Sequence, residues 1–236
     1  MPDTSIPHNE RLIFAMDVAD CERARQLAEE LGDSVRFYKI GLELMMSGGY
    51  FELLEWLLAR DKKVFADLKF YDIPATVGRA VRRISKRGAS FLTVHGDKSI
   101  MQAAADNKGD DLRILVVTVL TSLDQGDLAD LGFTSDVGEL VTARARLAFE
   151  SGCDGVIASG LEVSKLRQQV DPRLVVVTPG IRPVPKDSSG DQKRVVTVEQ
   201  AFENGADYIV VGRPIRDADS PRAAAEAIQA TIARVF

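Results

Sequence analysis

Three charged side chains stand close together in residues 65–74, at the end of a run that otherwise predicts a buried strand. Alternate residues of a strand share one face, so Asp67 and Lys69 should project to the same side. Asp72 follows three positions later, and Pro74 favours the start of a helix. Carboxylates around an ammonium group can hold a proton donor beside a reacting centre. The spacing predicts a catalytic charge array, although a strand-end salt bridge beside a helix start would give the same pattern.

A second lysine, Lys39, also lies in the middle of a strand-like run. Two ammonium groups in one cavity need acids between them, and Asp67 and Asp72 are the predicted partners. An alternating Lys-Asp-Lys-Asp network would balance the charge and keep Lys69 protonated as a proton donor. The alternative is an ion-pair cluster that only fills the end of a barrel.

Short β-rich runs alternate with amphipathic stretches along the whole chain, which favours a parallel sheet. Eight such units favour a single (β/α)8 TIM barrel over residues 1–236, with an open doubly wound sheet as the alternative. The predicted strands are Leu12 to Val18, Phe37 to Leu42, Lys63 to Phe70, Phe91 to Gly96, Arg113 to Leu120, Gly155 to Ser159, Leu174 to Ile181 and Tyr208 to Ile215. The clearest predicted helices are Cys21 to Leu31, Ala75 to Lys86, Val137 to Ser151 and Pro221 to Val235.

The carboxyl ends of the strands carry the active site in a barrel of this kind. Polar residues close most of the predicted strands, so we expect them to meet at one mouth: Asp17, Lys39, Asp67, Lys69, His95, Thr121, Ser122, Ser159, Thr178, Gly180, Gly212 and Arg213. His95 is a candidate general base, but a hydrogen-bonded packing role is the more common one. Hydroxyls such as Thr121 and Ser122 cap turns more often than they read a heterocycle.

The end of the eighth predicted strand has the composition of a phosphate site. Gly212 lets a ligand approach the backbone, and Arg213 suits a phosphate. The preceding segment, 182–196, is too long for a simple joint and predicts a mobile lid in which Gln192 and Arg194 face the ligand. The alternative is a disordered surface loop.

Composition narrows the function further. With 236 residues, a net charge of −5 and a pI near 5.2, the chain lacks the basic surface of a nucleic-acid-binding protein. Its two cysteines and two histidines have no metal-ligand spacing, so no metal is implied. The absence of a leader-like N-terminus and of a long apolar run predicts a cytoplasmic protein without a membrane segment.

Four separated motifs resemble the orotidine 5′-monophosphate decarboxylase family, and the resemblance covers nearly the whole chain. The motifs are Asp17 in Ala-Met-Asp-Val, Lys39 in Tyr-Lys-Ile-Gly, the block from Asp67 to Thr76, and a later set comprising Leu120-Thr121-Ser122, Thr178-Pro179-Gly180-Ile181 and Val211-Gly212-Arg213-Pro214. The resemblance implies conversion of orotidine 5′-monophosphate to uridine 5′-monophosphate in de novo pyrimidine biosynthesis, with no cofactor.

The family's roles carry over residue by residue. Lys69 would protonate C6 of the pyrimidine, Asp67 would face the scissile carboxylate, and Lys39 would bridge the network to the ribose. The remaining substrate-binding residues implied are Asp17 at a ribose hydroxyl, Ser122 at the pyrimidine edge, and Gln192, Gly212 and Arg213 at the phosphate, together with Thr121 and Pro179. Asp72, Ile73 and Thr76 would reach the neighbouring subunit's site, which implies a homodimer with shared active sites.

Two rival functions remain open at the level of sequence. One is a sugar-phosphate decarboxylase on the same barrel, with a related Asp-x-Lys-x-x-Asp block and a bound magnesium ion. The other is a ligand-binding or assembly barrel without catalytic activity that keeps the phosphate site.

Overall fold

A closed barrel of eight parallel strands forms the centre of the computed structural model, which describes residues 3, 5–182 and 194–236. Each strand pairs with its neighbours in chain order, and β1 pairs with β8 to close the barrel. The strands are β1 (Leu12–Ala15), β2 (Phe37–Gly41), β3 (Lys63–Phe70), β4 (Phe91–Val94), β5 (Arg113–Val117), β6 (Gly155–Ile157), β7 (Val175–Thr178) and β8 (Tyr208–Val211). The predicted (β/α)8 barrel is confirmed.

Helices follow each strand and surround the barrel. They are α1 (Cys21–Leu31), α2 (Leu42–Met46), α3 (Tyr50–Leu58), α4 (Pro74–Ser85), α5 (Lys98–Ala105), α6 (Gln125–Asp130), α7 (Val137–Glu150), α8 (Val163–Gln169), α9 (Val198–Glu203), α10 (Arg213–Arg216) and α11 (Pro221–Val235). The predicted bounds of α1 and α11 are confirmed. Both ends of α4 lie one residue earlier than predicted, and α7 starts at the predicted Val137 but ends one residue early, at Glu150. None of these helices has the length and apolar character needed to cross a membrane.

Most strands end earlier than the sequence predicted. The prediction that β8 runs to Ile215 was wrong, because the strand stops at Val211 and Gly212 caps the short helix α10. Pro214 explains the change, since proline has no amide hydrogen for a strand ladder and fits the first turn of a helix. Likewise β1 stops at Ala15 and β5 at Val117, so Asp17 and Thr121 stand on loops beyond the strands.

Two apolar cores are separated by the wall of the barrel. The larger one lies between strands and helices, and the smaller one fills the barrel interior. Aromatic rings occupy the interior: Phe37, Phe91 and Tyr208 have ring centroids 4.9 to 5.9 Å apart, and Phe65 packs against Phe91 at 6.0 Å. Burial of such rings contributes strongly to stability. This plug closes the barrel below the polar residues at its carboxyl end.

Candidate active site

A pocket of about 500 Å³ opens at the carboxyl ends of the strands. Its floor is apolar and comes from inward-facing strand residues, namely Ala15, Phe65, Val117, Ile157 and Val210. Its polar lining includes Asp17, Lys39, Asp67, Lys69, Thr121, Arg182, Gly212, Arg213 and Arg216. The volume suits a small organic ligand, and the combination of apolar floor and convergent charges is typical of a binding site.

Four charged side chains on the pocket wall form a continuous chain. Lys39 Nζ lies 2.9 Å from Asp17 Oδ1 and 3.3 Å from Asp67 Oδ2. Lys69 Nζ lies 2.8 Å from Asp67 Oδ1, so Asp67 is shared between both lysines. The predicted alternation of acids and lysines is present within one chain, but its outer acid is Asp17 and not Asp72. The reason is that Asp17 lies beside Lys39 on the loop after the adjacent strand β1.

Burial and charge act in opposite directions on the two innermost groups. Burial alone would lower the pKa of Lys39, but the carboxylates of Asp67 and Asp17 outweigh it and the pKa is raised. Burial alone would raise the pKa of Asp67, but the ammonium groups of Lys39 and Lys69 outweigh it and the pKa is lowered. Both groups therefore stay ionised at neutral pH.

The backbone of β3 is distorted where it presents the lysine. The pairing of β3 with β4 shifts register between Ala66 and Phe70, and Lys69 has a φ of 47°. This left-handed conformation is uncommon for a residue with a side chain and is found preferentially at functional sites. Phe65, Asp67 and Lys69 nevertheless all contribute to the pocket, as strand alternation predicted.

Thr93 on β4 holds this distorted segment in place, and it was not among the candidates from the sequence. Its hydroxyl donates to Asp67 Oδ1 at 2.8 Å and accepts from the backbone nitrogen of Lys69 at 3.0 Å. The side chain is fully buried. A signal did exist, because Thr93 shares the inward face of its strand with Phe91.

Only some of the other residues predicted to bind the substrate line the pocket. Thr121, Pro179, Gly212 and Arg213 line the pocket, whereas Ser122 is half-buried on the same loop and is not in the lining. Gln192 lies outside the described residues, as does most of the predicted lid. Arg182 and Arg216 line the pocket but were not predicted as site residues from the sequence.

Arg194 corrects another expectation. The prediction that it faces the ligand was wrong, because its guanidinium lies 2.6 Å from Glu162 in a buried ion pair outside the pocket lining. Sequence position does not reveal this difference, because Arg182, at the other end of the predicted lid, does line the pocket.

The loop after β3 contributes no residue to the lining of the pocket in its own chain. Asp72 and Ile73 are exposed, Thr76 is half-buried at the start of α4, and none of them lines the pocket. Asp72 accepts a hydrogen bond from the backbone nitrogen of Ile73 at 2.6 Å. Their predicted place in a neighbouring subunit's site remains a prediction.

His95 takes no part in the pocket lining. Its ring centroid lies 6.0 Å from that of Tyr71. Burial, with the positive charges of Arg144 and Lys69, lowers the pKa of His95, so the ring is neutral at pH 7. Within the described ranges, no group of acidic, histidine or cysteine side chains has the arrangement of a metal site.

Comparison with known proteins places the chain in a family. The model of the family described as "Orotidine 5'-phosphate decarboxylase / HUMPS" matches residues 10–228. The chain is a member of this family. A decarboxylase family relative from Methylococcus capsulatus, named orotidine 5′-phosphate decarboxylase, is 64% identical over 231 residues, covering 98% of this chain and 95% of its own length. A relative of the same name from Xanthomonas oryzae pv. oryzae is 52% identical over 225 residues, covering 95% of this chain and 92% of its own length.

The decarboxylase family also shares the fold. The crystal structure of orotidine 5′-phosphate decarboxylase from Lactobacillus acidophilus superposes with a TM-score of 0.84 at 35% identity, covering 94% of this chain and 99% of the other. The agreement extends over nearly the full length of both chains.

Proposed function

We propose that the protein decarboxylates orotidine 5′-monophosphate to uridine 5′-monophosphate, in the cytoplasm, as a step of de novo pyrimidine biosynthesis. The observation that carries this proposal is the chain of alternating charges from Asp17 to Lys69 beside an apolar pocket floor. The names of the full-length relatives indicate the substrate, and the charge chain supplies groups suited to the reaction.

The lining of the pocket supports one orientation of the nucleotide. Gly212 and Arg213 stand together where β8 ends and α10 begins, which suits the phosphate. Thr121 lies on the loop after β5 and Pro179 directly follows β7, where they would contact the pyrimidine. Asp17 and Lys39 lie near the ribose in this arrangement, and C6 then faces Lys69 and Asp67.

The chemistry follows from the charges around C6. The bond from C6 to the carboxyl carbon breaks, carbon dioxide leaves, and the electron pair remains on C6. The ammonium of Lys69 then gives a proton to C6, and solvent returns a proton to the neutral amine. We infer no metal or organic cofactor, because the developing negative charge is offset by the fixed ammonium group.

Lys69 contributes to the rate because its attraction for C6 is stronger in the transition state than in the ground state. Asp67 has two roles in this proposal. It holds both lysines through its two carboxylate oxygens, and its charge faces the substrate carboxylate, an interaction that disappears as carbon dioxide leaves.

We further propose a homodimer in which Asp72, Ile73 and Thr76 complete the site of the neighbouring subunit. Large apolar side chains are exposed at the same end of the barrel, which supports a subunit interface there. Tyr71 is 72% exposed, Ile73 is 66% exposed and Met46 on α2 is 83% exposed. Exposed apolar groups of this size are typical of protein interfaces.

The test of the activity is the ultraviolet absorbance of orotidine 5′-monophosphate mixed with purified protein, with and without EDTA. We expect conversion to uridine 5′-monophosphate that EDTA does not reduce and that Lys69→Ala abolishes. Loss of turnover in EDTA would show that the reaction needs a divalent metal ion and would contradict the metal-free mechanism. Nucleotide binding without any turnover would favour a binding barrel.

A further inference from the structure

A buried ion pair lies beside the pocket, outside the charge chain described above. Arg194 Nη1 lies 2.6 Å from Glu162 Oε1, and both side chains are at most 10% exposed. Glu162 follows β6, and Arg194 precedes α9, so the pair joins two loops at the carboxyl end of the barrel. A buried ion pair is costly to desolvate, so by itself it is weak evidence for a stabilising role.

The second terminal nitrogen of Arg194 reaches a third loop. Nη2 donates to the backbone oxygens of Val119 and Leu120, each at 3.1 Å. Val119, Leu120 and Thr121 all line the pocket and lie beyond the end of β5. Arginine is suited to this task because its planar fork presents donors on separate nitrogens in fixed directions.

The position of Arg194 is itself fixed by close packing. A Cβ atom on Gly160 would lie 2.4 Å from Val196 Cγ2, so glycine allows the loop after β6 to approach this segment. The backbone of Val196 accepts from the Arg182 nitrogen at 3.0 Å and donates to the Gly180 oxygen at 3.1 Å. The segment that carries Arg194 is therefore held by the loops after both β6 and β7.

We propose that Glu162 and Arg194 form a positioning pair that sets the 119–121 loop against the pyrimidine end of the pocket. Glu162 orients the guanidinium, and the guanidinium holds two carbonyls immediately before Thr121. This inference rests on the proposed function, which assigns the pyrimidine to that end. Neither residue touches the substrate in this scheme.

The test compares ligands that differ only in the base. Dissociation constants of uridine 5′-monophosphate and ribose 5-phosphate are measured by titration calorimetry for the wild type and Arg194→Ala. We expect Arg194→Ala to weaken the nucleotide by about tenfold or more, with a change of less than about twofold for ribose 5-phosphate. Lysine has a single nitrogen for both sets of acceptors, so the nucleotide dissociation constant of Arg194→Lys should lie between those of the wild type and Arg194→Ala. The lysine variant also keeps the test possible if the alanine variant does not fold.

Arg167 offers a matched control. It forms a buried pair with Asp207 at 2.6 Å and also donates to the backbone oxygens of Leu174 and Gly205, at the amino ends of β7 and β8. Arg167→Ala should lower the melting temperature and leave the ratio of the two dissociation constants unchanged. Equal weakening of both ligands in the Arg194 variants, or no weakening of either, would overturn the proposal.

Turnover separates this inference from the proposed function. Wild-type conversion of orotidine 5′-monophosphate tests the function alone, whereas the ratio of dissociation constants tests the positioning pair. If the wild type binds the nucleotide without turnover, the decarboxylase proposal fails and the binding ratio still decides the role of Arg194.

Discussion

The ammonium of Lys69 lies 2.8 Å from the carboxylate of Asp67, and Lys69 reaches it with a backbone φ of 47°. For a residue with a Cβ atom this conformation costs roughly 1–2 kcal/mol. The cost is borne where the register of β3 against β4 shifts, between Ala66 and Phe70. The same distortion presents the backbone nitrogen of Lys69 to Thr93.

Glycine at position 69 should relieve this strain. We expect Lys69→Gly and Lys69→Ala to be equally inactive, with the glycine variant more stable by about 1 kcal/mol because glycine adopts positive φ without a steric penalty. Denaturant unfolding of the two variants measures the difference. Both lack the same ammonium group, so the altered charge balance cancels. A more stable alanine variant would show that the strain is not stored at this residue.

Thr93→Val should reduce both stability and turnover. Valine keeps the volume but leaves Asp67 without one hydrogen bond and the Lys69 amide without its acceptor, at a cost of about 1–3 kcal/mol per unsatisfied group. We expect kcat to fall by tenfold or more, roughly the effect of a small displacement of the reacting groups. Steady-state kinetics measure it, and Thr93→Ser, which keeps the hydroxyl, serves as the control. A valine variant with wild-type kcat would contradict a positioning role.

Asp67 should make stability depend on pH in the acid range. Its pKa is lowered from the ordinary 3.8, so its contribution is complete above that value and is lost as pH falls through the folded-state pKa. Asparagine resembles the protonated acid, so the wild type should exceed Asp67→Asn in stability near pH 7, and the gap should narrow below about pH 3.5. Denaturant unfolding across this range checks it. A gap that widens in acid would contradict the direction.

Lys39 should make stability depend on pH in the alkaline range. Its pKa is raised from the ordinary 10.5, so its contribution is complete below that value and is lost as pH rises through the folded-state pKa. Between these limits the network keeps its charges. Unfolding of Lys39→Met against the wild type in alkaline buffers measures this contribution, and a difference that grows with pH would count against it.

Arg213→Ala should discriminate between substrates with and without a phosphate. We expect kcat/KM for orotidine 5′-monophosphate to fall by about a hundredfold or more, which corresponds to about 3 kcal/mol, because charge-assisted contacts to phosphate are strong. The free nucleoside orotidine lacks that group, so its turnover should be nearly unchanged. Equal losses on both substrates would remove Arg213 from the phosphate site.

Mixed dimers test whether active sites are shared. Lys69→Ala and Asp72→Ala should each be inactive or severely impaired alone. In an equal mixture that exchanges subunits freely, half of the dimers are hybrids with one intact site, so about a quarter of wild-type activity should return. Sedimentation of the wild type provides the accompanying check of dimer formation. If activity does not return although subunit exchange is proven, Asp72 either serves the active site of its own chain or has no catalytic role.

Much of this architecture follows from local pattern. Alternation of short apolar strands with amphipathic helices predicts the barrel, because each element must bury one face against the other. The inward face of β3 likewise placed Asp67 and Lys69 together, since the period of a strand determines which side chains share a side. The exact ends of α1 and α11 agree with sequence signals, as Asp20 and Ser220 cap these helices.

Other features depended on contacts between distant parts of the chain. The sequence alone determined the barrel, the two lysines and the shared acid, because these follow from periodicity and residue type. Only the tertiary structure decided that Asp17 partners Lys39, that Thr93 supports Lys69, and that Arg194 pairs with Glu162 outside the pocket lining. Each of these contacts joins separate loops or strands, and no local rule specifies which of several polar groups at a crowded barrel mouth will meet.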